Sequence, residues 1–130
     1  MTQRIMIPLI PVTKKNSSQI IWNKSLKRPM LIPSKIFTQY QQDCGIYLKN
    51  VDPFLDPCNL ECKFYMPTRR RVDLSNLISA ISDVLVHYGI LIDDNSKYIK
   101  GYDGSRVFYD KESPRTEIVI TEFEEKEEEI

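Results

Sequence analysis

Leu74, Leu77, Ile78, Ile81, Leu85 and Tyr88 recur at intervals of three and four residues, the period of a helix that buries one side. No other segment constrains the fold as strongly. Asp73 stands where an N-cap oxygen is favoured, and Gly89 stands where helices end in a left-handed residue. The segment predicts a helix over residues 73–88, about 22 Å long at about 1.5 Å per residue. Such a helix is held mainly by what it packs on, so the rest of the chain must supply an apolar surface.

The flanking segments predict a sheet. In residues 60–66, Leu60, Cys62, Phe64 and Met66 alternate with Glu61, Lys63 and Tyr65, the period of a half-buried strand. Residues 4–10 read as the first strand, and residues 116–121, rich in β-branched side chains, as the last. Residues 19–22 and 29–32 are short extended pieces around a polar turn. Residues 98–102 and 106–109 read as two strands paired with each other. Ser34 is placed to cap a second helix over residues 35–48, with Ile36, Phe37, Tyr40, Cys44 and Tyr47 at its apolar positions. Strands adjoin in sequence without regular βαβ alternation. The expected fold is α+β, a small mixed or antiparallel sheet with two main helices on one face.

Charge is balanced over the whole chain but not along it. Residues 122–130 hold six glutamates and one lysine, which leaves 17 basic and 12 acidic side chains on residues 1–121. A body with that excess can meet phosphates. The expected organisation is one domain over 1–121 and an acidic, solvated, disordered tail over 122–130. The plain reading of the tail is solubility; the sharper one is competition with DNA for the basic surface. Cys44, Cys58 and Cys62 are odd in number, which argues against a disulfide scaffold and for a reducing, cytoplasmic setting. No apolar run is long enough for a bilayer, and nothing in the chain calls for an organic cofactor.

Two acidic points bracket the striped helix: Asp73 at its start, and Asp93 and Asp94 past its end. Carboxylates without His or Cys ligands suit a hard cation such as Mg²⁺, which keeps waters and shares a phosphate. Arg69, Arg70 and Arg71 run up to Asp73, and guanidinium forks match phosphate oxygens. The helix start offers its free N–H groups to the same anion. Taken singly, Asp73 is a cap, Asp93–Asp94–Asn95 a turn and the arginines a solvated surface. Taken together, they are what phosphodiester hydrolysis needs. Residues 90–92 span at most roughly 10 Å. The acids therefore meet either across a dimer or along a bent path.

The stretch MPTRRRVDLSNLISAISDVLVHYGILIDD, residues 66–94, resembles the RusA family of Holliday junction resolvases. The matching residues are Asp73, Leu74, Asn76, Leu77, Asp83, Leu85, Gly89, Asp93 and Asp94. The opening IPLIPVTKKNS and the late TEIVITE also look like the family's first and last strands. The resemblance implies a homodimer, Mg²⁺ (or Mn²⁺), and paired nicks across branched DNA, the four-way junction, in a phage or prophage setting. It implies Asp73, Asp93 and Asp94 as catalytic metal ligands, with Asn76 and Asp83 supporting them. Two positions depart from the family. Ser75 stands where a second aspartate is expected, which leaves a weak neutral ligand, and Ser79 where a lysine is expected; Lys97 or Lys100 is a candidate substitute. Contacts to DNA are expected from Arg69, Arg70, Arg71, Lys14, Lys15, Asn16, Lys97 and Lys100, with Lys24, Lys27 and Arg28 as a further basic loop. The serines leave open a catalytically weakened branched-DNA-binding protein. A small interaction protein whose acids are only caps and turns is the third alternative.

Overall fold

The computed structural model describes residues 1–14, 18–33 and 35–124, with the backbone alone for 18–21 and 31–33. The expectations placed on Lys15, Asn16, Ser34 and the tail residues 125–130 lie outside the described residues. In chain order the elements are β1 (Thr2–Ile7), β2 (Ser18–Asn23), β3 (Arg28–Pro33), α1 (Lys35–Leu48), β4 (Cys58–Met66), α2 (Leu74–His87), β5 (Ile99–Gly101), β6 (Arg106–Tyr109) and β7 (Arg115–Glu122). The fold is α+β with a mixed sheet and two helices, as expected. The last strand extends through Glu122, and Phe123 N donates to Pro57 O at 2.9 Å.

β4 lies at the centre of the main sheet. On one side it pairs antiparallel with β7, which pairs antiparallel with β1 at the edge. On the other side, β5 and β6 run parallel to β4, β5 at its start and β6 along its second half. The pairing expected between residues 98–102 and 106–109 is therefore corrected: both segments pair with β4 rather than with each other. A buried serine accounts for the change. Ser105, 4% exposed, accepts a hydrogen bond from Cys62 N at 3.0 Å and donates to Leu60 O at 3.4 Å. Buried backbone groups need partners, and here one side chain spans the gap in the ladder. Asn59 fixes the intervening turn, donating to Asp103 O at 3.1 Å and accepting from Asp103 N at 2.9 Å. The hairpin expected from residues 19–32 is present as the separate β2–β3 pair.

Alternation decides which residues enter the core. Cys58, Leu60, Cys62 and Phe64 of β4 are buried with Ile118 and Ile120 of β7 and Ile5 and Ile7 of β1. They form one cluster with Phe37, Tyr40, Cys44 and Leu48 of α1 and Leu77, Ala80, Ile81, Val84 and Leu85 of α2. Of the apolar positions expected on α1, Phe37, Tyr40 and Cys44 are buried, whereas Ile36 is 65% and Tyr47 39% exposed. The helices meet closely at Gly45, where a Cβ would lie 2.9 Å from the Tyr88 hydroxyl. That hydroxyl donates to Gln41 O at 2.5 Å. Burial pushes the Cys44 thiol up to about 11 and the Cys62 thiol up to about 12, so both pack as apolar groups rather than react.

Candidate active site

The path of the chain after α2 builds the site. Tyr88 ends the helix, Gly89 takes φ +72°, Gly89 N donates to Val86 O at 3.0 Å, and Ile90 N donates to Leu85 O at 2.9 Å. This pair of bonds around a left-handed glycine reverses the chain and satisfies carbonyls that the helix leaves open. Ile90 and Leu91 then bury against the core at 1% exposure each, which pins the returning segment. Asp94 thus comes back to the side of α2 within the same chain, next to its serines.

A cavity of about 220 Å³ marks the meeting point, lined by Ser75, Ile78, Ser79, Ser82, Asp94 and Tyr102. The three serines follow one another at intervals of four and three residues and so share a face of α2. Ser82 is 1% exposed, and its Oγ makes no hydrogen bond of good geometry. Its neighbour is the Tyr102 ring, whose phenol is raised above the ordinary range by desolvation, with the Ser82 hydroxyl opposing and the Asp94 charge adding. The Asp94 carboxyl is also raised, first by loss of water in the pocket, then by its contact with the Asp93 carboxyl and by the like charges of Asp83 and Asp93. Negative charge is therefore concentrated where Asp94 faces the serines.

The other expected residues are distributed around this centre. Asp93 holds its own turn, accepting from Asp94 N at 2.7 Å and from Asn95 Nδ2 at 3.2 Å. Asp83 is paired with Lys14 at 2.6 Å, an ion pair that ties the basic N-terminal loop to α2. Asp73 has the extended backbone of an N-cap, φ −82° and ψ 123°, but its side chain caps no backbone N–H. The capping expectation is corrected: the carboxylate accepts from Asn76 Nδ2 at 3.2 Å instead. Asp73 does not line the cavity. Positions two apart on a helix face different sides, and it is Ser75 that looks toward Asp94. Among the described residues, no three His, Cys, Asp or Glu side chains come together as a metal-holding group.

The basic run lies at the start of α2. Arg69, Arg70 and Arg71 are exposed, and the Arg69 guanidinium lies 4.2 Å from the centre of the Tyr109 ring on β6. Lys97 sits 5.5 Å from the Tyr98 ring, and Lys100 is exposed on β5. The donor set of the cavity fits a hard cation: every polar side chain lining it carries oxygen, one is a carboxylate crowded by like charge, and one buried hydroxyl makes no bond of good geometry. Mg²⁺ needs only one or two carboxylates when waters and a phosphate complete its shell.

Sequence reasoning missed Tyr102 and Ser82. The serine spacing on the helix was a readable signal for Ser82. Tyr102 had none, because it stands just past β5 and only the pairing of β5 with β4 brings it to α2.

Fold and site define a class: an α+β domain with an oxygen-lined acidic pocket on the flank of a sheet-packed helix, and arginines at that helix's start. The model of the RusA endodeoxyribonuclease family matches residues 8–121. The chain belongs to this family of enzymes that cut within DNA, and the match takes in both helices and every residue of the pocket. No curated protein matches the chain.

Proposed function

We propose that this protein is a structure-specific endodeoxyribonuclease that resolves four-way DNA junctions by Mg²⁺-dependent paired hydrolysis, with Mn²⁺ able to replace Mg²⁺, acting as a homodimer. The observation that carries the reading is the return of Asp94 to the serine face of α2, beside Asp83 and Asp93, in a chain of this family. Asp94 would hold the ion from the cavity with Ser75 as a neutral oxygen, and Asp93 and Asp73, which lie outside the cavity lining in this structure, are the further carboxylates the reading calls on. Bound there, Mg²⁺ would supply the activation of water and the neutralisation of phosphoryl charge. Asn76 fixes the rotamer of Asp73, and Lys14 pairs with Asp83 at 2.6 Å. Arg69, Arg70 and Arg71 take DNA phosphates at the helix start, where contacts position the strand without reading its sequence. Lys97 and Lys100 extend that surface. A two-fold dimer suits a junction with two like strands to cut.

The test is a labelled four-way junction incubated with the protein and Mg²⁺. Paired symmetric nicks are expected; their absence, with unaltered behaviour of Asp73→Asn and Asp94→Asn, removes the reading. A second reading is favoured by one observation, that the cavity lining holds a single carboxylate. On that reading the protein binds branched DNA and cuts poorly. It predicts salt-sensitive junction binding without turnover, and a gain of cutting in Ser75→Asp with Ser79→Lys.

A further inference from the structure

The cavity is short of positive charge. Its lining includes no lysine or arginine, and the ammonium of Lys14 is already 2.6 Å from Asp83. Negative charge that develops on a phosphoryl oxygen here meets only neutral donors from this chain: three serine hydroxyls and one phenol. The phenol is the strongest donor of the four, since its hydrogen is the most acidic. It sits on a ring that is 38% exposed, at the border between cavity and solvent. Behind it lies the buried Ser82 hydroxyl with no bond of its own. An orphaned buried hydroxyl costs free energy in the state that leaves it unpaired, and that cost is relieved in any state that pairs it.

Resting on the endonuclease reading, we propose that Tyr102 donates its phenolic hydrogen bond to a non-bridging oxygen of the scissile phosphodiester, with Ser82 donating in turn to the Tyr102 oxygen. In the free protein the Ser82 hydroxyl stands beside the Tyr102 phenol without a bond of good geometry. With DNA bound, the order is Ser82 O–H to Tyr102 O, and Tyr102 O–H to phosphate. Each bond in such a chain polarises the next, so a neutral phenol does part of the work of a cation. Its effect is largest where phosphoryl charge grows, in the transition state. Tyr102 is then a catalytic residue and Ser82 a positioning one.

The test compares wild type, Tyr102→Phe and Ser82→Ala on a four-way junction with Mg²⁺, alongside junction affinity in Ca²⁺ and thermal midpoints. Tyr102→Phe is expected to lower kcat by about a hundredfold, as loss of one oxyanion donor does. Affinity in Ca²⁺ and the thermal midpoint should stay within error. Ser82→Ala is expected to lower kcat by about fivefold, the scale of one net hydrogen bond. A junction with sulfur in place of one non-bridging oxygen at the cut site gives the discriminating readout. One diastereomer should slow wild type markedly yet add little to the defect of Tyr102→Phe, because the bond it removes is already missing. Wild-type rates in Tyr102→Phe, an undiminished sulfur effect in it, or a matched fall in thermal midpoint would each overturn the assignment. A wild-type protein that makes no cut overturns the endonuclease reading itself, whereas a cutting wild type with an indifferent Tyr102→Phe overturns this inference alone.

Discussion

The two long sides of α2 share one backbone and do opposite work. One side presents Leu77, Ala80, Ile81, Val84 and Leu85, each at 1% exposure or less, to the sheet and α1. The other presents Ser75, Ser79 and Ser82 to a cavity closed by Asp94 and Tyr102. The first side is filled by shape, and its residues depend on one another for packing. The second leaves the Ser82 hydroxyl unsatisfied and faces one carboxylate, Asp94, crowded by the charges of Asp83 and Asp93. Stability is thus concentrated on one flank of the helix and spent on the other, which is how a small domain holds a reactive site on a rigid element.

Substitutions can break this division or sharpen it. The largest effect is expected from Asp94→Asn, which removes the carboxylate facing the serines. Junction cutting should fall by about a thousandfold, several kcal/mol of lost charge stabilisation, while binding in Ca²⁺ persists. Retained cutting would erase the distinction between the two sides. Next is Leu85→Ala on the packed side, expected to cost about 2–5 kcal/mol in denaturant unfolding yet leave the cutting rate intact below the melting transition. A selective loss of rate in this variant would show that the packed side also tunes chemistry. Replacing Arg69, Arg70 and Arg71 together by alanine should weaken junction affinity for all sequences and flatten the salt dependence by about three counterions. An unchanged slope in a filter-binding series would place the DNA elsewhere. The smallest effect is that of Ser75→Asp, which adds a charge beside Asp94. Its thermal midpoint should drop by about 3 °C in chelator and recover in excess Mg²⁺. A midpoint indifferent to Mg²⁺ would place the ion away from the serine side.

Much of the packed side was readable from residue order. The stripe from Leu74 to Tyr88 and the alternation in residues 60–66 name the inward positions of α2 and β4, because helix and strand periods are local properties of the backbone. Gly89 marked the helix stop for the same reason. The serine side was only half legible. Ser75 and Ser79 stood out against the family motif, and Asp94 was singled out as an acid, but their meeting was not. A reach estimate that counts residues 90–92 as a straight span misses the reversal made by Gly89 and Ile90. Asp73 illustrates the opposite error. Its position in the sequence favoured a cap, yet its carboxylate turned to Asn76, since any of several nearby donors can satisfy an exposed acid.

By itself, the sequence determined the two helices, the central strand and the family, since each is written in periodicity, in a local stop signal or in a contiguous motif. Tertiary structure alone decided that residues 98–102 and 106–109 both lie against β4, that Ser105 bridges them, and that Tyr102 and Ser82 meet Asp94. Contacts between segments far apart in the chain depend on which strand edges are vacant and which buried polar groups need partners, and no local period encodes either.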